Sequence, residues 1–450
     1  MRTADATYYG NRAPLRARFV PQEQSRGNLP VVLAAILFYT LLIPTQFNIT
    51  IADVYLSPFR IYLIGATLYI LAGAARQSMR FVWPDLFMIL TLCWIWIASY
   101  FSSGSVSTAV IMGGSHTVDI GLSYFLARAS IQTVGDFRRL LVLIAPGAGF
   151  ISAIVVLESI THTLILQRVA SSITGAIAPP RMEVRIGLMR GWGSFPHPIL
   201  AGICLGSLLP IYMLSGLRGW PKVVGVLAAI GGIFSLSSAA MLAVVVGGLL
   251  CVYDWLTRRI GNLNWRIFLL ATTILYAAVE LTSKSGFYSL LVRYVSLNTA
   301  TAYNRVLIWN FGTANVAEHP WFGIGYADWD RPDWMHSDSF DHFWLITALR
   351  FGIPAFVFMF GATMIGLSMI ALKSRELPHH DATFLRGTAI SVAVFALGVN
   401  SVSLWMAALA WFFMLLGITV SLGAIPRPSR PSLSHGFSQR RLVMAEPQAT

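Results

Sequence analysis

The sequence predicts an all-α integral membrane protein with about twelve transmembrane helices and two large loops on one side of the bilayer. Composition is the first reason: 56% of the 450 residues are hydrophobic, 11% are charged, and the mean hydropathy is +0.66. In soluble domains roughly a quarter of the residues are charged. The other two reasons are a series of long apolar segments and an uneven distribution of basic residues between them.

The apolar segments have lengths close to the roughly 20 residues that cross a bilayer. They lie near 29–47, 60–75, 84–101, 107–127, 139–158, 198–216, 222–236, 238–255, 266–282, 352–372, 387–400 and 402–424. The polar turns at 235–238 and 400–401 separate short segments, so either pair could instead be one re-entrant hairpin. The first segment is too long for a signal peptide and predicts an uncleaved anchor.

The basic residues predict the orientation. With both termini in the cytoplasm, most of the 32 Lys and Arg residues lie on the cytoplasmic side, as the positive-inside rule requires. We therefore attribute the net charge of +13 to the basic residues that fix the orientation in the membrane, and we expect no nucleic-acid partner. The predicted organisation is a basic N-terminal tail (1–28), a membrane domain (29–424) with external loops at about 159–197 and 283–341, and a disordered tail (425–450) against anionic lipid.

The first external loop ends in a candidate anion site. In "RIGLMRGWGSFPHPILAG", residues 185–202, Arg185 and Arg190 precede a glycine-rich turn and His197, which is a candidate for contacting substrate from the loop. Glycines let backbone amides approach an anion closely, and both arginines lie on the side where the charge rule disfavours them. The alternative is a pair of arginines at the membrane interface on a helix-entry turn.

The second external loop contains another arginine motif, "NRVLIWNFGTANVAEHPWFGIGYADW", residues 304–329. Its spacing predicts a helix carrying Arg305, followed by His319 and a glycine turn. Arg305 is a second candidate for binding an anion, and His319 a candidate for contacting substrate from the loop. The alternative is that Arg305 pairs with Glu318 or a nearby aspartate.

The stretch "MHSDSFDHFWLITALRFGIP", residues 335–354, contains the candidate proton-transfer groups. If residues 339–350 are helical, Asp338, Asp341 and His342 share one stripe above the membrane core. A histidine near an aspartate suits a general base, so His342, Asp341 and His336 are the candidates, with Asp338 as a substrate contact. The alternative is a surface helix whose acids face water.

The sequence predicts neither a metal nor a cofactor. The three cysteines, Cys93, Cys204 and Cys251, lie in apolar segments, and no Asp/His spacing matches a ligand set. His116 and Asp119 share the fourth span, where ionisable groups are functional candidates. This pair motivates a hypothesis from a different functional class, a proton-coupled polysaccharide or lipid transporter. The alternative is a buried pair in which the two side chains bond only to each other.

Three stretches, "RGWGSFPHPILAG", "NRVLIWNFGTANVAEHPWFGIG" and "DHFWLITALRFGIPAF", together resemble the O-antigen ligase and polymerase superfamily. The resemblance covers most of residues 185–372. Arg190 and Arg305 match the arginine positions of that family, and Arg185 is the next candidate for binding pyrophosphate. Two departures stand out: Asp341-His342 occupies the place of the usual His-Asn, and "SLSSAAML" at 235–242 lacks the usual arginine.

The resemblance implies a GT-C-like glycosyltransferase architecture in the bacterial inner membrane, with periplasmic loops and both termini in the cytoplasm. It implies metal-independent inverting transfer from an undecaprenyl-pyrophosphate-linked oligosaccharide. The form of the last motif favours an exopolysaccharide-type polymerase over a ligase that transfers polymer to lipid A core. Chain-length regulators, export proteins and membrane lipids are the other partners it implies.

Overall fold

The computed structural model describes residues 28–51, 54–75, 79–177, 183–283, 286–295, 299–335 and 339–426. Nearly all of both predicted tails lies outside these residues, and so do two candidate site residues, His336 and Asp338.

The described residues form a bundle of α-helices, joined by turns and two small antiparallel hairpins. The helices are α1 (Leu29–Leu41), α2 (Pro58–Ala75), α3 (Trp83–Ser103), α4 (Val106–His116), α5 (Ser123–Ser130), α6 (Val134–Thr161), α7 (Ile165–Thr174), α8 (Pro198–Gly206), α9 (Leu208–Leu214), α10 (Trp220–Gly231), α11 (Ser238–Thr257), α12 (Trp265–Thr282), α13 (Gly286–Val295), α14 (Thr299–Glu318), α15 (Phe343–Lys373), α16 (His379–Gly398) and α17 (Met406–Gly423). The hairpins pair β1 (Ile49–Ile51) with β2 (Val54–Leu56) and β3 (Val184–Arg185) with β4 (Leu188–Met189). No closed sheet occurs in the described part of the chain, so the fold is that of an all-α membrane protein.

Seven helices in the described ranges are long and apolar enough to cross a membrane. They are Trp83–Ser103, Val134–Thr161, Ser238–Thr257, Trp265–Thr282, Phe343–Lys373, His379–Ser401 and Met406–Gly423. Four shorter apolar helices also occur, at Leu29–Leu41, Pro58–Ala74, Pro198–Leu214 and Trp220–Ser235. The segment predicted at 107–127 is helical in three pieces, with a π-helix at Thr117–Leu122 between α4 and α5. The number of spans stays a prediction.

Helix α17 lies at the centre of the bundle and α12 at its periphery. All side chains of α17 from residue 407 to 422 are buried, except for Gly417, which has none. A Cβ at Gly417 would lie 2.4 Å from the carbonyl oxygen of Tyr124, so glycine allows α17 and α5 to pack closely. By contrast, no residue of α12 is buried, although many are apolar, as suits a helix that faces lipid.

Helix α15 joins the residues predicted as a helix over 339–350 to the span predicted from 352, and it bends sharply between them. The predicted span starts at 352, but the helix already begins at Phe343, and residues 339–342 are not helical. The prediction of a helical stripe over 339–350 is therefore wrong at Asp341 and His342, which precede the helix. Gly352 has φ 82°, a left-handed conformation that glycine adopts readily, and it marks the kink.

The kink joins the second and third motifs. Pro354 has no N–H, so the carbonyl of Arg350 loses its helical partner. The turn after α14 replaces the missing bonds through three backbone contacts: Ile353 N–H to Pro320 O (2.8 Å), Ile324 N–H to Leu349 O (2.8 Å) and Gly325 N–H to Arg350 O (3.0 Å). A Cβ at Gly352 would lie only 1.8 Å from the carbonyl oxygen of Trp321. The glycines and the proline of the two motifs thus hold α14 against the start of α15.

Candidate functional site

Arg190 is the most deeply buried cation of the site. It follows the β3–β4 hairpin, and its side chain is 2% exposed. Its Nη1 donates to Oε2 of Glu183 at 2.5 Å, and its Nε donates to the carbonyl of Ser235 at 3.2 Å. Burial lowers the pKa of Arg190 and the charge of Arg185 adds to this, while Glu183 opposes both. The side chain is therefore held in one position by an acid and a backbone carbonyl.

Arg185 lies beside it on β3. Its Nη1 donates to the carbonyl of Leu236 at 3.2 Å, and its Nη2 is 3.7 Å from Oε2 of Glu183. The "SLSSAAML" segment, which has no arginine of its own, thus supplies the carbonyls that hold Arg185 and Arg190. The 235–242 segment therefore orients two other arginines.

The glycine turn after Arg190 does not have its amides free. The N–H groups of Trp192 and Gly193 both donate to Oε2 of Glu158 at 2.8 Å. The other carboxylate oxygen of Glu158 accepts from Ile165 N–H at 2.9 Å, and the residue is fully buried. The predicted backbone cradle thus holds an internal carboxylate, and the expectation that these amides contact a substrate anion is wrong. Glu158 instead fixes the loop that carries Arg190.

Arg305 enters the same site from helix α14. It is 4% exposed, and burial lowers its pKa, while the charge of Asp341 and the Tyr288 hydroxyl oppose the shift. Burial raises the pKa of Asp341, and the charges of Arg305 and Arg190 both oppose that rise. Because both cations act on one carboxyl group, arginines from two separate loops share one electrostatic site.

His342 is the N-cap of α15. Its Nδ1 accepts the backbone N–H of Leu345 at 3.1 Å, so the neutral ring carries its proton on Nε2. The ring lies 5.5 Å from the rings of both Tyr288 and Trp309, and burial lowers its pKa to about 4. Nε2 is buried and has no hydrogen-bond partner among the described residues. In this geometry His342 is a neutral donor.

The two other candidate histidines differ in their relation to the site. His197 caps α8, where its Nδ1 accepts from Ile199 N–H at 3.3 Å, and burial together with Arg190 lowers its pKa to about 4. His319 is exposed at the end of α14, and its carbonyl accepts the N–H of Gly323 at 3.2 Å in the glycine turn. The structure thus brings Arg185, Arg190, Arg305, His197, Asp341 and His342 to one site, whereas His319 helps to shape the turn.

Glu183 and Tyr288 belong to the site but were not predicted from the sequence. Glu183 contacts both arginines of the first loop. Tyr288 stacks on Trp309 at 4.7 Å and donates from its hydroxyl to the carbonyl of Asn400 at 3.2 Å. The one available signal was the position of Glu183 two residues before Arg185, on an otherwise basic loop.

Asp119 of the fourth predicted span pairs with Arg60. The guanidinium of Arg60 donates to both carboxylate oxygens of Asp119, at 2.8 and 2.6 Å. Nδ1 of His116 lies 2.9 Å from the carbonyl of Met112 instead. The acid that motivated the transporter hypothesis is thus neutralised by an arginine, and the expected His116–Asp119 pair is not formed.

No group of three or more His, Cys, Asp or Glu residues within the described ranges is arranged to hold a metal ion. The fold and the site together define a multi-pass, all-α membrane protein with a buried cluster of arginines, a carboxylate and a histidine.

Residues 223–360 match the family model described as O-antigen ligase. The match confirms the resemblance to the O-antigen ligase and polymerase superfamily over these residues. It includes Arg305, Asp341 and His342 but begins after Arg185 and Arg190. No curated protein matches the sequence.

Proposed function

We propose that this protein polymerises undecaprenyl-pyrophosphate-linked oligosaccharide repeat units at the periplasmic face of the bacterial inner membrane, by metal-independent inverting glycosyl transfer. The observation that supports this most is that Arg190 and Arg305, which come from different loops, are both buried, and that the charge of each opposes the rise in the pKa of Asp341. Two buried guanidinium groups that act electrostatically on one carboxyl group suit a reaction in which a diphosphate leaves while a hydroxyl group loses a proton.

The arginines would stabilise the leaving group. As the anomeric C–O bond of the donor breaks, its electron pair passes to the diphosphate, whose charge grows. Guanidinium groups bind phosphate oxygens bidentately and stay charged at neutral pH, even with a lowered pKa. Because the carbonyl of Ser235 holds Nε of Arg190 before any ligand binds, little reorganisation of this side chain is required in the transition state.

Asp341 would accept the proton of the acceptor hydroxyl. The acceptor oxygen forms the new bond to the anomeric carbon on the face opposite the leaving group, which inverts the configuration, while its proton passes to the carboxylate. His342 cannot accept a proton at Nδ1 while that atom caps α15, whereas its Nε2–H can donate to a sugar oxygen. Asp341 is therefore our choice among the candidate bases.

A ligase that transfers finished polymer to lipid A core is the second candidate, since the matching family model is described as O-antigen ligase. The chemistry of the donor is the same and only the acceptor differs. A proton-coupled transporter is the candidate of another class, but its supporting pair is absent because Asp119 binds Arg60.

The chain-length profile of surface polysaccharide in a deletion strain tests the proposal. Loss of long polymer, with single repeats remaining on the lipid carrier, supports a polymerase. Accumulation of long chains on the carrier supports the ligase. Normal polymer in a strain that carries Arg190→Ala and Arg305→Ala together would contradict both, and failure of substrate movement with an unchanged chain length would favour a transporter.

A further inference from the structure

Glu183 contacts two guanidinium groups of the site, and half of its side chain is exposed. Its Oε2 is 2.5 Å from Nη1 of Arg190 and 3.7 Å from Nη2 of Arg185. The backbone carbonyls of Ser235 and Leu236 hold the two arginines from the other side. A carboxylate of the chain therefore occupies the position that a bound anion would take.

The two partners of this ion pair differ in exposure. The side chain of Arg190 is 2% exposed, while that of Glu183 is 50% exposed. A buried cation without a counter-ion is costly, so the carboxylate stabilises the guanidinium when no substrate is bound. Partial burial raises the pKa of Glu183, but the hydrogen bond and charge of Arg190 outweigh this and lower it. The anion is thus ionised at neutral pH and lies at the solvent side of the pair, where it can leave.

The ion pair with Glu183 leaves one hydrogen-bond donor of Arg190 without an acceptor among the described residues. Nη2 of Arg190 is buried and has no hydrogen-bond partner in the described part of the chain, although Nη1 and Nε are both bonded. The single oxygen of Glu183 engages only one edge of the guanidinium. A diphosphate offers more oxygens and more charge, so it can engage both terminal nitrogens together.

We propose that Glu183 is an internal counter-ion which the donor diphosphate displaces from Arg190 and Arg185. This inference rests on the proposed function, because it assumes that the arginines bind the diphosphate. Binding is then an exchange of anions, and the carboxylate moves toward solvent as the ligand enters. The exchange selects for multiply charged diphosphates, because a singly charged phospholipid headgroup gains little by replacing a carboxylate that is already bound.

The binding of inorganic pyrophosphate to the full chain in nanodiscs of zwitterionic lipid tests the exchange. Glu183→Gln removes the competing charge but keeps an oxygen that can accept from Arg190. Its dissociation constant should be at least about tenfold lower than that of the wild type, because one unit of negative charge beside the ligand is gone. The control is Glu318→Gln, which makes the same charge change at an exposed position of α14. It should bind pyrophosphate as the wild type does.

Two further measurements complete the test. Glu183→Gln combined with Arg190→Ala should lose the gain in affinity. Phosphatidylglycerol vesicles should inhibit pyrophosphate binding more strongly in Glu183→Gln than in the wild type. If Glu183→Gln binds pyrophosphate no more tightly than Glu318→Gln does, the inference is overturned. Such a result would mean that Glu183 has only a structural role at this site or no role. The polymer profile of Arg305→Ala is independent of this outcome, so failure of the exchange leaves the proposed function to be judged by its own experiment.

Discussion

The backbone N–H of Leu345 donates a hydrogen bond of 3.1 Å to Nδ1 of His342. A ring nitrogen that accepts a hydrogen bond uses its lone pair to do so and carries no proton. The proton of the neutral imidazole therefore lies on Nε2. The residue before it, Asp341, lies in the field of Arg305 and Arg190. This one bond divides the roles at the start of α15 between a donor, His342, and a proton acceptor, Asp341.

The two roles predict different mutant rates. Asp341→Asn should lower the transfer rate by about 10²- to 10⁴-fold, the usual contribution of a general base. His342→Asn keeps a capping oxygen and an N–H donor, so its loss should be about tenfold or less. Transfer of purified lipid-linked repeats by the two variants measures this. Equal inactivation of both would contradict the division of roles.

Acid should reduce the stability of the folded chain through His342. Burial lowers its pKa from 6.5 to about 4, so between these values the unfolded chain binds a proton that the folded chain does not. Stability is therefore lost as the pH falls from 6.5 toward 4, with a slope of about 1.4 kcal/mol per pH unit from this group. Denaturant titrations in detergent should show a slope smaller by that amount in His342→Asn, while the exposed control His319→Asn keeps the original slope. An unchanged slope in His342→Asn would show that folding does not lower the pKa of this residue.

Replacement of the buried Glu158 should release the Arg190 loop. Its carboxylate accepts the N–H groups of Trp192, Gly193 and Ile165, and the amide of Glu158→Gln would direct its own hydrogens at some of these donors. A loss of about 1–3 kcal/mol in unfolding free energy is expected for such unsatisfied groups. Proteolysis within 185–197 should also become faster. Glu318→Gln is the control for charge, and normal stability of Glu158→Gln would refute the role of the carboxylate.

The kink at Gly352 should not tolerate a side chain. Its φ of 82° and the carbonyl of Trp321, 1.8 Å from a built Cβ, both oppose alanine. Gly352→Ala should cost more than about 2 kcal/mol, since strain at such a φ alone contributes about 1–3 kcal/mol. Gly114→Ala, where a Cβ meets nothing within 4 Å, should fold normally. The expression level and the melting temperature of the two variants test this prediction. Equal values for Gly352→Ala and Gly114→Ala would contradict the close packing of the second motif against the third.

Hydropathy and charge predicted the class of fold because they report directly on contact with lipid. Arg190 and Arg305 were selected as candidates because, in the predicted topology, they lie on the side that the positive-inside rule disfavours, and that topology stays a prediction. The partners of these arginines could not be predicted, since Glu183 reaches Arg190 across a hairpin, and Asp341 acts on Arg305 through its charge from another segment. The helix at 339–350 and the span from 352 were predicted separately, because a Gly-x-Pro sequence ordinarily ends a helix, whereas in the fold one helix begins at Phe343 and continues through the kink at Gly352.

The most direct test of the central proposal is the conversion of lipid-linked repeat units to polymer by the purified protein in proteoliposomes, with variants at Arg305. Arg305→Ala should lower the rate by roughly 10²- to 10³-fold, as expected when a donor to a developing anion is lost, and Arg305→Lys should restore only part of it. Arg331→Ala, which removes an arginine paired with the exposed Asp328, should remain as active as the wild type. Full activity of Arg305→Ala would show that the leaving diphosphate is not stabilised at this site.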